Sequence, residues 1–191
     1  MATVIDNSFP LPENLPVPVD DGACDHLVGM EVPSISLPAT TGESVVIADM
    51  KTPWTVVYAY PKTGVPGQAL PPDWDSIPGA RGCTPQNCAF RDHYAELQAL
   101  GASVFGLSTQ STEYQQEMAE RLHLPFAVLS DEKLELTNAL RLPTFDAGDE
   151  PLLKRFSMVL SGSRIVHVMY PVFPSNSDAP AIVDWLTRQA I

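Results

Sequence analysis

Residues 54–60, Trp-Thr-Val-Val-Tyr-Ala-Tyr, form a near-continuous apolar and β-branched run. A strand with one wet face alternates apolar and polar residues, so a run of this kind belongs to a strand buried on both faces. Such a strand needs two covering layers, which confines the fold to a sheet packed from above and below. The rest of the chain supplies candidates for those layers.

Downstream, Thr84 is placed to cap a helix, Pro85 suits its first position and Gly101 the position past its end. Within it Phe90, Tyr94, Leu97 and Leu100 share one face at helical spacing, the face that packs on the sheet. Residues 103–108 read as a strand, 111–122 as a helix with Tyr114, Met118 and Leu122 inward, and 126–129 as a short strand. Residues 131–140 are helical in pattern, 155–160 and 165–170 form a hairpin around Ser161-Gly162, and Asp178 caps a terminal helix with Pro180 in its first turn. Upstream, residues 33–37 and 44–47 flank Thr41-Gly42 as a further hairpin. Strands that first alternate with helices, then end in a hairpin and a helix, specify an α/β class: a central mixed β-sheet flanked by helices on both faces. That order fits a thioredoxin-like fold.

Two segments resist the alternation. Residues 8–20 carry Pro10, Pro12, Pro16 and Pro18, which remove backbone donors and favour an extended conformation. They are read as an arm outside the core, giving an arm over 1–25 and a single domain over 26–191. Between 62 and 82, Pro66, Pro71, Pro72 and Pro78 are interspersed with Gly64, Gly67, Gly79 and Gly82, so a long loop without regular structure is expected before the helix.

A chain of 191 residues can bury a core without disulfide or metal staples. Its formal charge of −12, from 23 acidic and 11 basic residues with no basic cluster, argues against nucleic acid as a partner and reads as a solubility feature. No basic segment followed by an apolar run opens the sequence, and nothing approaches the roughly 18 apolar residues of a membrane span. A soluble, cytoplasmic protein without membrane association is expected. Three cysteines, two of them close together, do not resemble a secreted disulfide framework.

The close pair lies in Gly82-Cys83-Thr84-Pro85-Gln86-Asn87-Cys88, where the loop enters the helix. At a helix N-terminus the unpaired amides and the macrodipole favour a thiolate over a thiol, which places Cys83 to be nucleophilic. Were both cysteines helical, their side chains would sit about 140° apart around the axis. A disulfide between them therefore requires the first turn to unwind, since its α-carbons must come within about 7 Å. Two other readings stand beside this one. Four intervening residues lie at the edge of finger-type metal spacing, although no second pair or HxxxH completes a tetrahedral site. Both cysteines could instead be small buried hydrophobes.

The same residues resemble the peroxiredoxins, and most closely their Q-type branch. Leu27-Val28-Gly29 with Pro33 and Leu37-Pro38 is similar to the family's opening hairpin, and Tyr58-Ala59-Tyr60-Pro61-Lys62 to its strand-end motif. The run from Gly82 to Asp92 is similar to the branch signature. Leu124-Pro125-Phe126, Leu129-Ser130-Asp131 and the run from Arg155 to Leu160 fall where similar segments occur. The resemblance implies reduction of hydrogen peroxide and organic hydroperoxides, recycling by thioredoxin or a related dithiol protein, and neither metal nor other cofactor. It implies that Cys83 is the peroxidatic residue, oxidised to a sulfenic acid, and Cys88 the resolving one. Arg155 matches the family arginine that supports the thiolate and polarises the peroxide. The chain is expected to be a monomer or homodimer.

One departure is plain. In the family a proline seven residues before the attacking cysteine and a threonine or serine three before it shape the pocket; here those positions are Ser76 and Ala80. Pro61 and Thr63 look like displaced counterparts, separated from Cys83 by an insertion that includes Trp74, and Thr63 is the expected source of the hydroxyl. Trp74 either covers the pocket or anchors the loop. Cys24 is expected to be a spectator, Asp92 and His93 a solvated or packed helical pair, and Arg81 a loop arginine near the nucleophile. A rival from another class is a thioredoxin-fold copper-binding assembly factor using the cysteine pair and a later histidine such as His167, and a third reading is an inactive redox-partner protein that keeps the fold and binds another protein.

Overall fold

A computed structural model describes residues 11–189. The 54–60 run forms β3 (Trp54–Ala59) at the centre of a five-stranded sheet. On its two sides lie β4 (Ala102–Ser108), parallel, and β8 (Phe156–Ser161), antiparallel. β5 (Val128–Ser130) and β9 (Arg164–Met169) complete the sheet at the edges, in the order β5-β4-β3-β8-β9. Alternate residues of β3, with Tyr60 just past its end, feed two different cores. Val56, Tyr58 and Tyr60 pack with Phe90, Leu97, Met118 and Ile182 on one face, while Val57 and Ala59 pack with Leu107, Leu129, Leu136 and Met158 on the other. Each of these five central residues is fully buried, as the absence of polar alternation requires.

The first face is covered by α1 (Cys83–Asp92), α2 (Tyr94–Ala99), α3 (Thr112–Arg121) and α5 (Asp178–Gln189). The second is covered by α4 (Glu135–Leu140) together with the segment around Cys24, Leu27 and the small hairpin β1 (Leu37–Pro38) and β2 (Ser44–Val45). The mixed sheet with helices on both faces is thus the one expected. Among the described residues no helix is long and apolar enough to cross a membrane.

Several boundaries differ from the sequence reading. α1 starts at Cys83, with Gly82 rather than Thr84 as its cap, and the expected single helix bends at His93 into α1 and α2. Tyr114, expected inward, is only half-buried and donates its hydroxyl to the Thr63 carbonyl at 2.9 Å, while Gln115 takes the buried position. α4 begins at Glu135 because Leu134 takes a left-handed conformation (φ 58°); Asp131 still caps it from a distance, accepting from the Leu136 and Thr137 amides. One hairpin went unforeseen, β6 (Thr144–Ala147) with β7 (Glu150–Leu153).

That hairpin matters to the 62–82 loop. Trp74, buried in a short 3₁₀ turn, packs with Ala80, Leu152 and Phe145, so the loop and the hairpin share a small core of their own. The opening arm falls partly outside the described residues, which begin at Leu11; Pro18 lies against Gly79 of the loop, and the end of the arm is not outside the core as expected, because Cys24 is buried in it with Leu27.

Candidate active site

The site is assembled where β3 ends. Phe156 of β8 stands opposite Ala59, so Arg155 sits at the carboxyl end of the central strand, level with the start of α1. Gly82 makes the entry into α1. Its φ of 107° lies in the region that favours glycine, and an added β-carbon would stand 2.3 Å from the Ser175 hydroxyl. The Gln86 amide closes the first turn on the Gly82 carbonyl at 3.2 Å, which leaves the amides of Cys83 and Thr84 without an intrahelical acceptor.

Cys83 is buried at that end, 4% exposed. Nη2 of Arg155 donates to its Sγ at 3.3 Å and to the carbonyls of Gly79, Ala80 and Arg81 at 3.1–3.2 Å. Nη1 of Arg155 donates to Oε1 of Gln86. A guanidinium this deeply buried, 3% exposed, is costly unless a charge balances it. The acceptors that surround it are Cys83 Sγ, Gln86 Oε1 and the three loop carbonyls.

Behind the arginine runs a buried relay. Gln86 Nε2 donates to Oδ2 of Asp178 at 2.6 Å, and the Ser157 hydroxyl donates to the same oxygen at 2.6 Å. Burial pushes the Asp178 carboxyl above its ordinary range, opposed by those two hydrogen bonds and by the charge of Arg155. Sequence reasoning missed Gln86, Ser157 and Asp178 as a set. Gln86 lay inside the cysteine motif, but nothing local to Asp178 distinguished it from an ordinary helix cap.

Cys83 opens onto a cavity of about 230 Å³ lined by Leu11, Thr63, Trp74, Thr84 and Pro85 among others, with Arg81 and Arg121 also in its wall. The structure brings Thr63 to the same cavity as Cys83 despite twenty residues of separation. Thr63 is 1% exposed, and its amide donates to Oε1 of Gln110 at 3.0 Å while its hydroxyl reaches the same oxygen at 3.4 Å. Trp74 fills both roles offered for it, anchoring the loop and lining the cavity. Arg81 pairs with Asp75 at 3.1 Å.

Cys88 lies on α1 with Cys83, packs half-buried against the first core and is a free thiol. Burial pushes its ionisation upward, with the charges of Arg91 and Arg121 partly opposing. Cys24 sits in the other core. His93 accepts or donates at Glu96 on the helix surface, and Asp92 pairs with Arg91. His167 stacks on Trp185 with ring centroids 4.6 Å apart, a contact that accounts for it without a metal. Among the described residues no three His, Cys, Asp or Glu side chains converge to hold a metal ion.

Comparison with known proteins identifies the family. The redoxin family model matches residues 27–184. Peroxiredoxin bcp1 of Schizosaccharomyces pombe is 33% identical over 148 residues, 73% of this chain and 68% of the relative. Peroxiredoxin Bcp of Escherichia coli is 27% identical over 161 residues, 83% and 94% of the two chains. Among solved structures, peroxidoxin BcpB of Mycobacterium tuberculosis superposes with a TM-score of 0.69 at 22% identity, covering 84% of this chain and 96% of that one. Peroxiredoxin Q of Xanthomonas campestris gives 0.64 at 18%, covering 93% and 99%. With a thioredoxin-like sheet, a cysteine at the helix entry and these relatives, the chain belongs to the redoxin family and, within it, to the Q-type peroxiredoxins, the thiol peroxidases.

Proposed function

We propose that Cys83 is the peroxidatic residue of this thiol peroxidase and Cys88 its resolving partner, with Arg155 and Thr63 completing the site. The observation that carries the assignment is the 3.3 Å contact of Arg155 Nη2 with Cys83 Sγ at the entry of α1, beside a cavity. The thiolate attacks the distal oxygen of a hydroperoxide, the O–O bond breaks, Cys83 becomes a sulfenic acid and the alkoxide or hydroxide leaves with a proton from solvent. Arg155 steadies the charge as it passes from sulfur to the leaving oxygen, and the Thr63 hydroxyl orients the peroxide. Cys88 then attacks the sulfenic sulfur; the disulfide forms and water leaves.

Both cysteines are helical, so this last step needs α1 to unwind from its first turn. Unwinding also releases Cys88 from the burial that disfavours its thiolate. The substrates are hydrogen peroxide and organic hydroperoxides; one neighbour, the Xanthomonas campestris bacterioferritin comigratory protein, is described for alkyl peroxide reduction. A thioredoxin-like dithiol protein recycles the disulfide in the cytoplasm, and the working unit is a monomer or homodimer with a domain over 26–191 and an arm over 1–25.

Mass spectrometry after one equivalent of peroxide tests the assignment. A Cys83–Cys88 linkage with Cys24 free is expected, together with faster amide exchange over residues 83–90 in the oxidised form. A linkage through Cys24 would overturn it.

A further inference from the structure

We infer that Asp178, acting through Gln86 and with Ser157, anchors the first turn of α1 and so sets the balance between peroxide attack and disulfide closure. The inference rests on the assignment of Cys83 and Cys88 above. Gln86 lies between the two cysteines, fully buried, with both ends of its carboxamide engaged. Its oxygen accepts from Nη1 of Arg155 and its nitrogen donates to Oδ2 of Asp178 at 2.6 Å. An amide can be turned either way round; a carboxylate on one side and a guanidinium on the other admit one orientation only. Asp178 is itself fixed by the Ser157 hydroxyl on β8 at 2.6 Å and by the Ala179 amide at 3.1 Å. The titratable and charged groups facing this relay among the described residues are Asp178 of α5, Arg155 before β8, Cys83 of α1 and Tyr58 of β3.

The relay has opposite effects on the two halves of the reaction. Folded, it aims the guanidinium at Cys83, as peroxide attack requires. For closure, Gln86 has to leave with the unwinding turn, and that strands a buried carboxylate and a buried guanidinium without their shared partner. Charge-assisted bonds of this kind are the strong ones, so the anchor opposes unwinding until the sulfenic acid is resolved. Asp178 is a positioning residue here: it touches neither the peroxide nor either sulfur. A lingering sulfenic acid is also open to a second hydroperoxide, which gives a sulfinic acid and an alcohol.

Asp178→Asn keeps the shape and removes the charge. Rapid-mixing measurements should show disulfide closure faster by about tenfold, the effect of weakening one charge-assisted bond, and peroxide attack slower by a smaller factor. Sulfinic acid formed in excess peroxide should fall in step. Ser157→Ala should shift the same two rates in the same directions by less. In a Gln86→Leu background, Asp178→Asn should change closure no further, because its route is gone. A role confined to capping α5 predicts a lower melting temperature with the closure rate unmoved, and that result overturns the inference. So does closure that slows together with attack. A wild-type protein that forms no Cys83–Cys88 linkage would overturn the underlying assignment, and this inference with it; normal wild-type linkage with unaltered rates in Asp178→Asn would overturn this inference alone.

Discussion

Cys83 and Cys24 are buried to the same degree, each 4% exposed, yet their surroundings are opposed. Around Cys83 stand a helix entry, the guanidinium of Arg155 and a cavity. Around Cys24 stand the core and three aspartates, Asp21, Asp20 and Asp25; burial foremost, and these charges after it, push its thiol up to about 12. Among the described residues the cation that acts on it, Lys154, is committed to Asp21 at 2.6 Å. Burial by itself therefore says little about a cysteine's chemistry. The sign of the charge that burial encloses with it decides whether sulfur is held as a reagent or as packing.

Removing the difference at its source gives the largest expected effect. Arg155→Met should lower the second-order rate of Cys83 oxidation by about 10²- to 10³-fold, the scale for a lost preorganised donor at a developing charge. A rate within tenfold of wild type in stopped-flow measurements would mean the helix entry suffices without the guanidinium. Thr63→Val comes next, slowing oxidation by about ten- to a hundredfold, the range for a lost hydrogen bond to a charged centre. A near-normal rate would take the hydroxyl out of the site and leave the cavity threonine as packing around Gln110. Cys24 offers the converse test. At pH 7 a thiol with its value is ionised to about one part in 10⁵, so iodoacetamide should leave Cys24 unlabelled in the folded protein while Cys83 is alkylated, and Cys24→Ser should leave peroxide turnover unchanged.

The smallest effect isolates burial from charge. The imidazole of His167 is pushed below the usual 6.5 by desolvation, with no carboxylate among the described residues to offset the loss of water. Well above pH 6.5 it is neutral in folded and unfolded chains and contributes no pH dependence. Below that pH the unfolded chain takes the proton first, so stability declines until the folded group also titrates. In His167→Phe, denaturant midpoints should fall less between pH 6.5 and 5 than in wild type; parallel profiles would show that stacking on Trp185 does not disfavour the charged ring.

Much of this was legible in the sequence because its signals are local. The unbroken run of β3, the placement of α3 within 111–122 and the Gly162 turn each follow from a few adjacent residues. The β6–β7 hairpin also carried a cue, Gly148-Asp149 between two short runs, but Pro151 and the acidic residues obscured the strand pattern. Thr84 was read as the cap because its side chain suits that place; a glycine that must both turn left-handed and slip past Ser175 cannot be recognised without the distant serine. Thr63 and Arg155 came through a family pattern, and the cavity that gathers Thr63 with Cys83 depends on how a twenty-residue loop folds back. The Asp178 relay was invisible for the same reason: its members are 92 and 21 residues apart.

The alternation of β3 between two cores has a further consequence. Cys83 and Cys88 belong to one of them and Cys24 to the other, with the sheet standing between as a bulkhead. On the proposed mechanism, melting of α1 would loosen one compartment only, and the spare thiol would be kept out of the exchange by a wall of main-chain hydrogen bonds rather than by its distance along the chain.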